Sequence, residues 1–139
     1  MDKDFFLSFV KESFLFLNTD YKFIYKGIKD TSRNFSILYE KNDLIVELKY
    51  NKPNKYFEVS IFNNVHEIEE INHDIDSSIG LTWLIIKYEP TNNKEINNLK
   101  IDSLEEMIKY KALLLRKYGD SILSGKEWFS WGDVINSQK

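Results

Sequence analysis

The chain of 139 residues contains 42% apolar and 29% charged residues, with a formal net charge of −3. A chain of this size buries roughly two thirds of its unfolded surface, so it can fold as one domain without disulfides or a structural metal. The absence of cysteine excludes a disulfide framework, a thiolate zinc site and a cysteine nucleophile. A pI near 5.5 with two arginines disfavours nucleic-acid binding, and no apolar run reaches the ~20 residues that span a bilayer. We therefore expect a single cytoplasmic domain over residues 1–139 that contacts neither nucleic acid nor membrane.

The first predicted element is a helix over residues 5–17. Apolar residues recur there at spacings of three and four, at Phe6, Val10, Phe14 and Leu17. Asp2 or Asp4 can accept the first free backbone N–H groups, and the helix should end near Asn18. The apolar arc is wider than one buried stripe requires. Part of it therefore lies under a second element, or contacts a partner that could be a second copy of the chain.

Residues 21–61 change to a period of two, which is typical of strands with one buried face. Aromatic and β-branched residues alternate with other residues in four runs, over residues 21–26, 35–40, 44–50 and 56–61. Short turn segments such as Lys41-Asn42-Asp43 separate the runs. Because such connectors leave no room for crossover helices, the pattern predicts a four-stranded antiparallel meander.

The remainder is predicted to be helical. We favour a short helix over residues 80–88, stopped by Pro90, although the β propensity of residues 81–88 also permits a fifth strand. Start and stop signals at Ser103 and Gly119 predict a helix over residues 104–118, with Leu104, Ile108, Ala112 and Leu115 on one stripe. Short helical turns are expected within residues 121–135. The predicted fold is α+β: an N-terminal helix, a four-stranded antiparallel meander, and two to three C-terminal helices packed on the sheet.

Known catalytic and metal-binding patterns have little support in this sequence. The two histidines, His66 and His73, are seven residues apart, which is roughly 10 Å along a helix and too far to share one ion. Phosphate-binding glycine loops and a Gly-x-Ser-x-Gly elbow are absent. We therefore expect no catalytic residue, no metal and no cofactor. Of the C-terminal tryptophans Trp128 and Trp131, at least one is expected to close the core.

The charge distribution suggests where a partner binds. Residues 65–106 hold three basic and ten acidic residues, a net charge of −7, whereas the flanking segments are net positive. A concentrated negative surface steers association with a basic partner, although a solvated loop that maintains solubility has the same composition. The candidate partner-binding residues are Glu67, Glu69, Glu70, Asp74 and Asp76.

The layout of hydrophobic segments resembles small bacterial α+β proteins, several families of which are associated with immunity to polymorphic toxins. The segments that carry the resemblance are Phe57-Glu58-Val59-Ser60-Ile61, Leu81-Thr82-Trp83-Leu84 before Glu89-Pro90, residues 112–118 and residues 122–125. Proteins of this type act by occluding a toxin and vary widely at the binding face. The resemblance therefore implies a function, but it assigns no role to any residue.

Two hypotheses of different classes follow. The first is a non-enzymatic protein-binding module, most concretely an immunity-type inhibitor whose acidic segment docks on a basic toxin domain. The second is a small hydrolase or ligand-binding protein with a pocket between the sheet and the helices, which would use convergent carboxylates or tyrosines. The sequence leaves the oligomeric state open.

Overall fold

The computed structural model describes residues 2–63, 78–88, 103–126 and 128. Their helices and strands are, in chain order, α1 (Lys3–Ser13), α2 (Phe16–Thr19), β1 (Ile24–Asp30), β2 (Asn34–Lys41), β3 (Leu44–Asn51), β4 (Tyr56–Phe62), β5 (Ser78–Gly80), α3 (Leu81–Tyr88), α4 (Leu104–Tyr118) and α5 (Asp120–Leu123). The predicted α+β class is confirmed. In these ranges no helix combines the length and apolar character needed to cross a bilayer.

The sheet is an antiparallel meander in the order β1-β2-β3-β4-β5. The prediction of four strands is wrong, because β5 adds a fifth strand that pairs with Ser60–Phe62 of β4. A strand of three residues is too short for an alternating pattern to be recognised, and only Ile79 within it is buried. The helix predicted over residues 80–88 is confirmed as α3, so the alternative of a strand over residues 81–88 is wrong.

The N-terminal helix is interrupted. The expected helix over residues 5–17 forms two pieces, α1 and α2, with the break at Phe14–Leu15. Asp2, one of the two predicted capping residues, caps α1, and the four stripe residues Phe6, Val10, Phe14 and Leu17 are all fully buried. The first strand begins at Ile24 rather than at Tyr21, with an irregular register between Tyr25 and Gly27.

The core lies between one face of the sheet and the helices. Phe35, Tyr50 and Phe57 are directly paired across β2, β3 and β4, so their side chains form one aromatic row. The ring of Phe6 from α1 lies on this row, with centroid distances of 5.3 Å to Phe35, 5.8 Å to Tyr50 and 6.2 Å to Phe57. The half-buried Trp128 packs against the same core, as predicted for at least one C-terminal tryptophan, whereas Trp131 lies outside the described residues.

Helix α4 has the predicted bounds because its end signals are local. The Ser103 side chain accepts a hydrogen bond from the Glu106 backbone N–H at 3.4 Å, and the acidic first turn complements the helix dipole. The helix ends at Gly119, whose N–H donates to the Leu115 carbonyl at 2.7 Å. A β-carbon at Gly119 would lie 2.6 Å from that oxygen and 3.0 Å from the Leu115 side chain. Glycine is therefore required at this position, because there is no room for a β-carbon.

The replacement Gly119→Ala is expected to lower the free energy of unfolding by about 1–3 kcal/mol, the usual cost of overpacking. The matched control is Gly80→Ala, because a β-carbon there would meet only the Val59 oxygen at 4.0 Å. Urea unfolding of the two variants measures the difference. A Gly119→Ala variant as stable as the unmodified protein would show that the turn between α4 and α5 has room for a side chain.

Candidate functional site

The predicted partner-binding residues cannot be placed in the fold. Glu67, Glu69, Glu70, Asp74 and Asp76 all lie outside the described residues, and so do the two histidines. Within the part of the chain that the structure describes, no group of three or more His, Asp or Glu side chains could hold a metal ion. Two other features of the described residues are candidates for function: a cleft beside Lys111 and a groove between α1 and α4.

Lys111 projects from α4 into the protein interior and is only 3% exposed. Its Nζ donates a hydrogen bond to the Phe57 carbonyl and lies 3.8 Å from the centroid of the Tyr56 ring. Both partners are uncharged, so the ammonium group is stabilised by a backbone dipole and an aromatic face. The side chain therefore connects the central turn of α4 to strand β4.

The Phe57 carbonyl can accept this bond because β5 is short. The pairing between β4 and β5 covers only Ser60–Phe62, so the preceding half of β4 extends beyond the end of β5. A buried carbonyl without a donor costs free energy comparable to that of a lost hydrogen bond. The Lys111 amine therefore supplies the donor that a longer β5 would have provided.

Beside the half of β4 that β5 does not cover lies a cleft of about 280 Å³. Strand β4 forms one wall, and the junction of β5 with α3 forms the other. The residues that line the cleft are Tyr56, Glu58, Val59, Ser60, Gly80, Leu81, Thr82, Trp83 and Lys111. The cleft thus combines two aromatic rings, three hydroxyl groups, one carboxylate and one amine.

Burial dominates the electrostatics of this cleft. It lowers the pKa of Lys111 from 10.5 to about 8, against a smaller opposing effect of the Glu58 charge. Burial also raises the pKa of Tyr56, and Glu58 adds to that rise. The Glu58 carboxylate itself is 3.7 Å from the Lys49 amine on the neighbouring strand. The Lys111 amine is therefore partly unprotonated at a mildly alkaline pH at which exposed lysines are fully charged.

The second candidate is a groove of about 420 Å³ between α1 and α4, called here the α1–α4 groove. Its lining residues are Phe9, Glu12, Ser13, Phe16, Lys109, Ala112, Leu113 and Arg116. Leu113 is 62% exposed beside it, and Phe5, stacked on Phe9 at 6.0 Å, is 47% exposed. The apolar arc predicted for residues 5–17 is thus buried on one side and open to solvent on the other.

Cations border this groove. The Lys109 amine lies 5.5 Å from the centroid of the Phe9 ring. The Arg116 guanidinium is 5.7 Å from the Phe16 ring and forms an ion pair with Asp20 at 2.8 Å. These contacts hold the charged groups at the edge of an apolar surface, an arrangement that is typical of protein interfaces.

Sequence reasoning missed both features, although a signal for each was present. Lys111 lies three residues after Ile108 and four before Leu115, so its position belongs to the predicted buried stripe of α4. Leu113 lies off that stripe, at a position that the stripe leaves exposed. A lysine at an inward position and a leucine at an outward position are the two departures from the pattern of this helix.

The pH dependence of stability is expected to report the buried amine. Between pH 8 and 10.5 the unfolded chain retains a proton that folded Lys111 has released, so this group makes the unfolding free energy rise with pH. Well below pH 8 both states are protonated and the contribution is constant. Relative to Lys111→Met, the unmodified protein should gain about 1–2 kcal/mol between pH 8 and 9.5.

Chemical unfolding at several pH values measures this difference. The tyrosine titrations occur in both proteins, so they largely cancel in the comparison. Parallel stability curves for the protein and Lys111→Met would show that the amine titrates at its ordinary pKa and would contradict the burial described above.

Comparison with protein-family models, curated proteins and solved structures finds no match for this chain. The resemblance to bacterial proteins of the immunity type therefore stays a prediction. The features of the chain that bear on function are the geometry of the cleft and of the groove, together with the charge distribution of the sequence.

Proposed function

We propose that this chain is a non-enzymatic protein-binding module, most concretely an immunity-type inhibitor that occludes a bacterial toxin domain. The observation that carries the proposal is the α1–α4 groove, an open apolar surface beside which Leu113 is 62% exposed. A large apolar side chain beside a groove with a polar rim favours contact with another protein. The partner would insert an apolar side chain into this groove.

The rim of the groove limits what the partner can present. Helix α4 contributes two cations, Lys109 and Arg116, whereas α1 contributes one carboxylate, Glu12. Because Asp20 already compensates Arg116, Lys109 and Glu12 are the rim charges most available to a partner. We expect a partner whose apolar anchor has a carboxylate beside it, directed towards Lys109.

The acidic segment adds a separate component to the proposal. Its net charge of −7 over residues 65–106 favours a partner that also carries a basic surface, as expected for a toxin that acts on nucleic acid. Charges of this kind act mainly on the association rate, whereas a buried apolar anchor acts mainly on the dissociation rate. The two components can therefore be separated kinetically.

A second candidate function draws support from the cleft beside Lys111. This second candidate is a small hydrolase or ligand-binding protein with a pocket between the sheet and the helices. The cleft lies between β4 and α3, and it contains Tyr56 and Glu58, residues of the types expected. It offers one carboxylate, whereas the hydrolase form of the hypothesis requires two that converge.

The groove is tested by Leu113→Asp. We expect this variant to bind the partner at least 10-fold more weakly, mainly through faster dissociation, because a carboxylate replaces the apolar contact. The matched control is Leu15→Asp, since Leu15 is 54% exposed but does not line the groove. The partner is first captured from the native host and identified, and both variants are then measured against it by surface plasmon resonance.

Equal loss of affinity in both leucine variants, or no loss in either, would remove the groove as the contact surface. For an inhibitor, the purified complex should have 1:1 stoichiometry and should suppress the activity of the partner. A partner that remains fully active in the complex would reject the immunity-type form of the proposal.

The acidic segment is tested by reversing three of its charges, with Glu69→Lys, Glu70→Lys and Asp74→Lys in one variant. We expect association to slow by about an order of magnitude at low salt and the difference to shrink at high salt, because the attraction is screened. Circular dichroism checks that the variant folds. An unchanged association rate at low salt would discard this segment as a docking surface.

A further inference from the structure

Among the described residues, Lys111 is the only charged side chain that is buried. A buried ammonium group is normally compensated by a carboxylate, because removing a charge from water is costly. Here its contacts are the Phe57 carbonyl and the Tyr56 ring, whereas Glu58 lies 3.7 Å from Lys49. Burial at this position therefore shifts the balance between the charged and the neutral form of the Lys111 amine towards the neutral form, compared with a lysine at the protein surface.

Lys111 is also one of the residues that line an open cleft. The space of about 280 Å³ is sufficient for a molecule of a few non-hydrogen atoms. Tyr56 and Trp83 provide aromatic walls, while Ser60 and Thr82 provide hydroxyl groups. A buried lysine in a cleft of this kind is the usual setting of an amine that acts as a nucleophile, since a neutral amine has a free electron pair.

We propose that Lys111 is a nucleophilic amine and that the cleft between β4 and α3 admits a small aldehyde, which Lys111 captures as an imine. The Nζ electron pair of the neutral amine forms a bond to the aldehyde carbon, and one Nζ proton passes to the former carbonyl oxygen, giving a carbinolamine. Nζ then loses its second proton, the oxygen leaves with both protons as water, and a C=N double bond remains. No oxidant or reductant is consumed in this step.

Glu58 lines the same cleft, and its negative charge raises the pKa of Lys111, against the larger effect of burial. This capture is a separate activity from the partner binding proposed above and does not depend on it.

The test uses the full chain, with acetaldehyde as the probe. Sodium cyanoborohydride reduces any imine to a stable ethyl group on the lysine Nζ. Labelling at pH 7 is kept to low conversion, and the modified lysines are located by peptide mass spectrometry. Lys109 is the matched control, because it is exposed on the same helix. We expect Lys111 to be labelled at least ten times faster than Lys109, with a rate that levels off above pH 8–9 while that of Lys109 continues to rise.

Access through the cleft is tested with Thr82→Phe, which narrows the cleft at its α3 wall. Labelling of Lys111 should fall at least fivefold in this variant, while that of Lys109 should not change. Labelling of Lys111 no faster than that of Lys109 in the unmodified protein would overturn the proposal, because an amine that only caps the Phe57 carbonyl has no reason to react first. Fast labelling that Thr82→Phe leaves unchanged would equally overturn the assignment of the cleft.

Discussion

The fold depends on covering the aromatic row that crosses β2, β3 and β4. The ring of Phe6 lies on Phe35, Tyr50 and Phe57 at centroid distances between 5.3 and 6.2 Å. One side chain of α1 therefore packs against residues of three strands. Aromatic pairs at such distances contribute beyond the area they bury. The position of α1 on the sheet is therefore fixed, and the other helices pack on the surface that remains.

Both candidate sites depend on how α4 packs against its neighbours. Helix α4 contacts α1 and β4, so it has one side on the sheet, one beside α1 and one exposed to solvent. Between α4 and α1, the α1–α4 groove remains open and Leu113 stays exposed. Where α4 meets the uncovered half of β4, Lys111 reaches the Phe57 carbonyl. The groove and the cleft thus lie on different sides of one helix.

The length of β5 determines the chemistry at the cleft. A longer β5 would pair with the first half of β4, and the Phe57 carbonyl would then have a backbone donor. Because β5 ends at Gly80, a side chain supplies that donor, and α3 begins at once with Leu81. The Lys111 amine is desolvated where it donates this hydrogen bond, and desolvation lowers the pKa of Lys111 to about 8. Stabilisation of a strand edge and the lowered pKa of a lysine therefore have the same cause.

Elements with local signals were predicted well. Helix α4 has cap, stripe and stop residues within the chain itself, and its bounds, Leu104–Tyr118, agree with those predicted. The buried stripe of α1 and the antiparallel order of β1 to β4 were likewise predicted from periodicity. The break at Phe14–Leu15 was not predicted. The apolar spacing of three and four residues continues through the break, whereas the helix itself is interrupted there.

The sequence by itself determined the α+β class, the meander and the inward face of each main element, because side-chain period and caps act over a few residues. Only the tertiary structure decided that β5 forms, that Lys111 faces a carbonyl, and that Leu113 stays exposed. Each of these depends on which surfaces meet between segments far apart in the chain. Lys111 and Phe57 are 54 residues apart, and no local pattern encodes their contact.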